Sequence, residues 1–532
     1  MDRSFRLRHF TILLVVCLGL AFVQPALTGR AAAKQPNVLF ILSDDLDLAE
    51  IAFMPKLKAL MVDQGTSFSD YFVSVSLCCP SRSTTIRGQY SHNTGVETNN
   101  GSNGGFETAH RLDIENSTIA TWLQGSGYRT GLFGKYLNGY PNTTSPTYIP
   151  PGWVEWNSSV KGNPYSEYNY VLNSDGQLTP YGRKPEDYGT DVYAQQARQF
   201  IQKAMQDKTP FFAYLAVYAP HQPATPASRY KDLFPGAQAP RTPNYNEPDV
   251  TDKPKYIADL PLMKPIAQQR VDALYRRRLQ SLQAVDDAIE GLYNTLKAAG
   301  QLDNTYIVFT SDNGFHLGNH RMPAGKQTAY EEDIHLPLIV RGPGVAAGKV
   351  IDAITGNIDL APTFAAMAGV TPANFVDGRS FLPALLGAAP PTKRNAYLVE
   401  HFNVATAPTA ATPAAETQEP DDIDQLPEGE FGDLEAATLP APANPTAARV
   451  KGIPEFHGIR GSGFVYIEYV TGESEFYNIA EDPYELHNLV SKLDPGTKKV
   501  LSERVKGLVT CKADSCRTLE DTPLTLTMPH VG

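Results

Sequence analysis

Three short stretches of the chain are apolar at almost every position: 37-NVLFILS-43, 211-FFAYLAVY-218 and 305-TYIVFT-310. Strands buried on both faces read this way, whereas a strand with one wet face alternates. Between residues 267 and 300 the period changes. Val271, Leu274, Leu282, Val285, Ile289, Leu292 and Leu296 recur at helical spacing, and Gly300 suits a C-terminal cap. That pattern predicts a helix over 267–300 leading directly into the strand at 305–310, as in an αβ unit. The fold class is α/β, with a large, mostly parallel sheet flanked by helices. Each apolar run gives way to polar residues: Asp44-Asp45, then 219-APH-221, then 311-SDNG-314. Open α/β sheets bind ligands beyond the carboxyl ends of their strands, so these three junctions are the first candidates for a site.

The pattern breaks between 404 and 448, where Ala, Pro and Thr dominate, nine acids occur and Lys and Arg are absent. Such a tract buries too little apolar area to offset its ordering entropy. It reads as a flexible insertion over 404–449. Beyond it, 463-GFVYIEYVTGESEFYNI-479 predicts a β-hairpin around Thr471-Gly472, and a helix follows near 495–509. Residues 450–532 therefore read as a small α+β subdomain with an antiparallel sheet, and 35–403 as the main domain. At the other end, Arg3, Arg6 and Arg8 precede an apolar run from Phe10 to Val23 and small residues around Ala26–Ala33. That is a secretory signal peptide over about residues 1–30, with an uncleaved anchor as the alternative. The expected location is secreted, periplasmic or cell-surface (lysosomal in a eukaryote), without stable membrane insertion after cleavage.

The formal net charge is −11 with no basic cluster, which argues against a nucleic-acid surface. Five cysteines occur in 532 residues. Cleavage removes Cys17, and 511-CKADSC-516 reads as a disulfide in an oxidising compartment. Cys78 and Cys79 are left side by side in 76-SLCCPSRSTTIRG-88. Adjacent cysteines rarely bond each other, and neither a CxxC redox pair nor a zinc ligand set has this spacing.

Asp44, Asp45, Asp312 and Asn313 would supply hard oxygen ligands if their strand ends meet, which suits Ca²⁺, with Mg²⁺ or Mn²⁺ as alternatives. Cys78-x-Pro80-x-Arg82 matches the Cys-x-Pro-x-Arg signature of type I sulfatases, and the chain resembles that family over most of its length. The first metal strand is similar to 36-PNVLFILSDDL-46, the Gly-Lys segment to 131-GLFGKYLNGY-140 and the histidine loop to 219-APHQP-223. The second metal loop is similar to 310-TSDNGFHLG-318, the second-lysine segment to 325-GKQTAYEEDIHLPLIVRGPG-344, and the C-terminal strand and turn to 475-EFYNIAEDPYELHNL-489. LCCPSR, 89-QYSHNTGVETNN-100, GKYLN and DNGFH also resemble the N-acetylglucosamine-6-sulfatase and arylsulfatase branches.

The resemblance implies an alkaline-phosphatase-like fold and hydrolysis of a sulfate ester of a sugar or an aryl alcohol. It implies oxidation of Cys78 to Cα-formylglycine by a separate formylglycine-generating enzyme, with Cys79 only the variable position of the motif. The hydrated aldehyde at Cys78 would join Asp44, Asp45, Asp312 and Asn313 as a metal ligand, its deprotonated oxygen would attack sulfur, and its second hydroxyl would let sulfate leave. Arg82 would hold the diol, Lys135 and Lys326 the sulfate, and His221, alone or with Lys326, would protonate the departing oxygen. Two departures stand out. Arg87-Gly88 replaces the Thr-Gly that often follows the signature, so Arg87 is a candidate cation near the site. Leu137 stands where relatives carry a histidine, leaving His316 as a candidate site contact; His92, Asn93 and Asn138 are candidate substrate contacts. Two other readings stay open: a phosphonate monoester or phosphodiester hydrolase of the same superfamily, and an inactive binding protein with unmodified Cys78.

Overall fold

A computed structural model describes residues 35–391, 393–405 and 452–531. The expected signal peptide and nearly all of the expected 404–449 insertion lie outside the described residues. The three apolar runs form neighbouring strands. Asn37–Ser43 lies parallel to Phe211–Ala216 on one side and to Thr305–Ser311 on the other, with Leu39 opposite Ala213 and Ile307. Arg129–Gly134 adds parallel to Phe211–Ala216. Six further strands extend the sheet to ten. The full order is Lys349–Ile351, Thr66–Phe68, Leu338–Arg341, Thr305–Ser311, Asn37–Ser43, Phe211–Ala216, Arg129–Gly134, Glu155–Gly162, Tyr170–Ser174 and Gln177–Tyr181. Antiparallel pairing is confined to the flanks, so the sheet is mixed with a parallel centre.

Continuous apolarity in the first strand has a direct cause. Val38, Phe40 and Leu42 enter the core on one face of the sheet, while Leu39 and Ile41 enter the core on the other. Helices Gly189–Gln206 and Pro265–Ala298 close the second face with Phe200, Leu282, Val285 and Ile289. Helices Cys78–Arg87, Ile119–Gly125 and Leu360–Met367 close the first with Ile86, Leu123 and Phe364. Each such side chain contributes about 1.5–3 kcal/mol when fully buried.

The smaller sheet is a four-stranded antiparallel meander of Tyr397–His401, Phe456–Gly461, Phe464–Tyr469 and Ser474–Asn478. The expected hairpin is its second half. Its first strand comes from before the insertion, so the segment assigned by sequence to the main domain ends as a strand of the C-terminal sheet. Helix Pro495–Leu508 follows, capped by Asp494, whose side chain accepts from the amides of Gly496 and Thr497. Cys511 and Cys516 are disulfide-bonded, with Cα atoms 4.9 Å apart. Closing so short a loop constrains the unfolded chain modestly. A Cys511→Ala/Cys516→Ala variant should lose about 2 kcal/mol in urea unfolding, and an unchanged midpoint would refute the stabilising role.

Candidate active site

Four adjacent parallel strands deliver the site from one sheet edge. In spatial order Thr305–Ser311 leads to Asp312 and Asn313, Asn37–Ser43 to Asp44 and Asp45, Phe211–Ala216 to His221, and Arg129–Gly134 to Lys135. The last strand was not read from the sequence as a strand. Gly134 takes φ +113°, and a Cβ there would lie 1.9 Å from the carbonyl oxygen of Ala216. Glycine alone lets the chain turn into Lys135, whose amide bonds that same oxygen at 2.8 Å. Gly134→Ala should therefore displace Lys135 and lower turnover by about 10²-fold, the scale of a 1 Å misplacement; wild-type rates would show that the position tolerates a side chain.

Cys78 is the first residue of helix Cys78–Arg87 and is fully buried. A helix N-terminus favours negative charge. The Cys78 thiol lies 3.4 Å from Asp44 Oδ1 and 3.9 Å from Asp45 Oδ1, and Lys326 Nζ is 2.9 Å from its sulfur. Lys326 also pairs with Asp45 Oδ1 at 2.8 Å, and Lys135 with Asp44 Oδ2 at 2.7 Å. His221 Nδ1 is 2.6 Å from the carbonyl oxygen of Gln222, which leaves Nε2 facing Asp45 Oδ2 at 3.5 Å. Arg82 Nε donates to Asp312 Oδ2 at 2.8 Å and its Nη2 lies 3.7 Å from Asp44. Asp45 holds φ +60°, a left-handed conformation that aspartate tolerates better than most residues.

These charges set one another's protonation. Burial pushes Asp44 upward, but Lys135, Arg82, His221 and Lys326 together outweigh it and hold the carboxyl below its ordinary range. Asp312 is pushed up to about 6, first by burial and then by the neighbouring charge of Asp44.

The donor set fits a hard divalent cation. Asn313 Oδ1 and Asp45 Oδ2 are buried without a hydrogen-bond partner, and a ligand atom from each of Asp44, Asp45, Cys78 and His221 falls within one 4.8 Å group. Asp312 stands beside them, its Oδ1 accepting from the amides of Asp45 and Asn313.

A family model described as Sulfatase matches residues 36–370. The chain belongs to the sulfatase family. N-acetylglucosamine-6-sulfatase of Capra hircus is 34% identical to it over 513 residues, covering 94% of this chain and 87% of the goat protein. The extracellular sulfatase SULF-1 homolog of Drosophila melanogaster is 40% identical over 366 residues, 68% of this chain but 32% of the fly protein. The chain thus spans about a third of that relative's length. A protein solved in complex with its substrate, D-glucosamine-2-N,6-O-disulfate, shares the fold with a TM-score of 0.67 at 22% identity, covering 92% of this chain and 99% of that one.

In this sulfatase the other expected residues divide. His316 is buried beside the second-lysine segment, its backbone paired with Gly325, and its Nδ1 lies 2.9 Å from Asp333 Oδ1. Asp333 was missed by the sequence reading; it also accepts from the amide and hydroxyl of Thr328. Asn138 lines a small cavity with Lys135, Ser158, Tyr165 and Tyr218. His92 is corrected: its two ring nitrogens face Glu400 at 3.2 Å and the carbonyl oxygen of Cys511 at 3.1 Å. Both polar edges tie the main domain to the C-terminal segment, which gives His92 a tethering role. Asn93 joins it through Asp377 and the same Cys511 carbonyl. Arg87 is corrected too, because it ends the helix that Cys78 begins. Its guanidinium donates to the carbonyls of Ile114 and Ser117 and lies 4.2 Å over the Phe375 ring.

Arg278 is a second residue no motif indicated. Fully buried on the long helix, it donates to both oxygens of Glu50 and to the backbone carbonyls of Asp45 and Pro220. One side chain therefore braces both the first aspartate loop and the histidine loop.

Proposed function

We propose that this sulfatase releases inorganic sulfate from a sulfated sugar, with N-acetylglucosamine 6-sulfate as the model substrate. Cys78 is converted to Cα-formylglycine by a formylglycine-generating enzyme, and Ca²⁺ is held by Asp44, Asp45, Asp312 and Asn313. The observation that carries the reading is the surroundings of Cys78: Lys326 Nζ 2.9 Å away and Asp44 3.4 Å away, at a buried helix N-terminus. Formylglycine supplies a hydrated aldehyde, a nucleophile that a thiol or serine hydroxyl cannot replace because only a gem-diol can later expel sulfate. The cation supplies fixed positive charge against the sulfuryl oxygens.

The chain's own side chains do the rest. Lys135 and Lys326 face the sulfate oxygens from two sides and favour the charge that develops there. His221, oriented through Nδ1 by the Gln222 carbonyl, presents Nε2 to hand a proton to the departing sugar oxygen. Arg82 fixes the Asp312 carboxylate. His316, oriented by Asp333, is placed to contact the substrate alcohol, and Asn138 lies on the Lys135 side of the pocket. The N-terminal signal makes the enzyme an exported one. Among the described residues no helix is long and apolar enough to cross a membrane.

The test is a substrate panel with product quantified by ion chromatography. Sulfate release from N-acetylglucosamine 6-sulfate, and more slowly from an aryl sulfate, is the expected result. Hydrolysis of an aryl phosphonate monoester in clear preference to both would overturn the assignment.

A further inference from the structure

A second cluster of ligand-type side chains lies outside this site, where the loop after Asn313 meets the turn that follows the C-terminal sheet. A ring nitrogen of His320 and one carboxylate oxygen each of Glu332 and Glu485 lie within 4.8 Å of one another. Glu485 and His320 are completely buried. One oxygen of Glu485 accepts from the amide of Glu331 at 3.0 Å, but Oε1 has no hydrogen-bond partner, and neither has Glu332 Oε2. A buried carboxylate oxygen is seldom left without a partner.

His320 is set up as a ligand. Its Nδ1 is 2.6 Å from Glu247 Oε2, so donation there places the lone pair on Nε2. That nitrogen faces Asn244, whose amide lies 3.4 Å from it and donates to Glu332 Oε1 at 2.8 Å. A carboxylate on one ring nitrogen, with the other nitrogen carrying a single long contact of 3.4 Å, matches the arrangement by which metal-binding histidines are held.

Charge balance points the same way. Glu331 is paired with Arg460 at 2.6 Å, and Glu247 faces Lys253 at 3.7 Å. Among the described residues Glu332, which is half-buried, and Glu485, which is fully buried, pair with no such cation, and an uncompensated buried carboxylate is costly. A cleft of about 280 Å³, lined by Asn319, Glu332, Pro483 and Tyr484, opens beside them and gives an ion a way in.

We propose that His320, Glu332 and Glu485 form a second divalent-cation site, distinct from the one beside Cys78, that takes a borderline metal such as Zn²⁺ or Mn²⁺. One imidazole and two carboxylates suit these ions better than Ca²⁺, which prefers an all-oxygen shell. The ion clamps the C-terminal turn onto the segment between Asn313 and Lys326. It does not depend on the sulfatase chemistry, so its test reads metal and stability rather than turnover.

Mature protein stripped with a chelator is dialysed against ZnCl₂, and bound metal per chain is measured beside the Zn²⁺-induced rise in Tm. Glu485→Gln and Glu332→Gln, each close in volume to the native residue, should bind one Zn²⁺ fewer than wild type and lose most of that rise. Unchanged stoichiometry and an unchanged rise in both variants would overturn the proposal and point to two carboxyl groups sharing a proton. Should either variant not fold, anomalous diffraction from Zn²⁺-soaked wild-type crystals decides: a peak among the three side chains is expected, and its absence overturns the site.

Discussion

Cys78→Ala should abolish sulfate release, lowering kcat by roughly 10⁴–10⁶-fold, the range seen when a covalent nucleophile is removed. The fold should survive. Residue 78 sits in the first turn of a helix, where alanine is the best-tolerated residue, and only one small side chain is removed from the pocket. Lys326 keeps its partner Asp45, so no buried charge is stranded by the change. Sulfate release measured beside a thermal melt separates the two effects. A variant that melts like wild type and turns over within tenfold of it would remove Cys78 from the chemistry.

Lys326→Met should be the next most severe change. The lysine is 7% exposed and touches both Cys78 and Asp45, so it stands where negative charge gathers as the ester bond breaks. Methionine preserves the aliphatic stem and removes the cation. Losing one such electrostatic contact costs about 10²–10³-fold in kcat. The effect on KM should be smaller, because Lys135 and Arg82 keep positive charge beside Asp44. Steady-state kinetics on a sulfated sugar provides the check. A rise in KM with kcat unchanged would make Lys326 a binding residue only.

The sequence made the parallel centre of the sheet readable because three of its four strands are buried on both faces as unbroken apolar runs. Arg129–Gly134 obeys the same burial rule but carries two glycines and an arginine, so its run is broken and only the Gly-Lys motif marked it. The acidic and cationic residues at the strand ends were legible through spacing and family resemblance. Their supporting partners were not. Arg278 reaches Asp45 from a helix more than two hundred residues away, and Asp333 orients His316 from the short helix Glu331–Ile334. Such pairings depend on how elements stack, which no local pattern records. His92 shows the converse. A polar residue in a family-like motif looked like a substrate contact, yet packing against Glu400 and the C-terminal segment gives it a structural task. Arg87 fails for a geometric reason, since a helix that starts at the nucleophile carries its tenth residue away from it.

Mass spectrometry of the peptide spanning residue 78, taken from preparations of graded specific activity, tests the central claim most directly. An aldehyde at residue 78 should account for the active fraction, rising in step with sulfate release from one preparation to the next. Full activity in a sample whose Cys78 is entirely an unmodified thiol would contradict it.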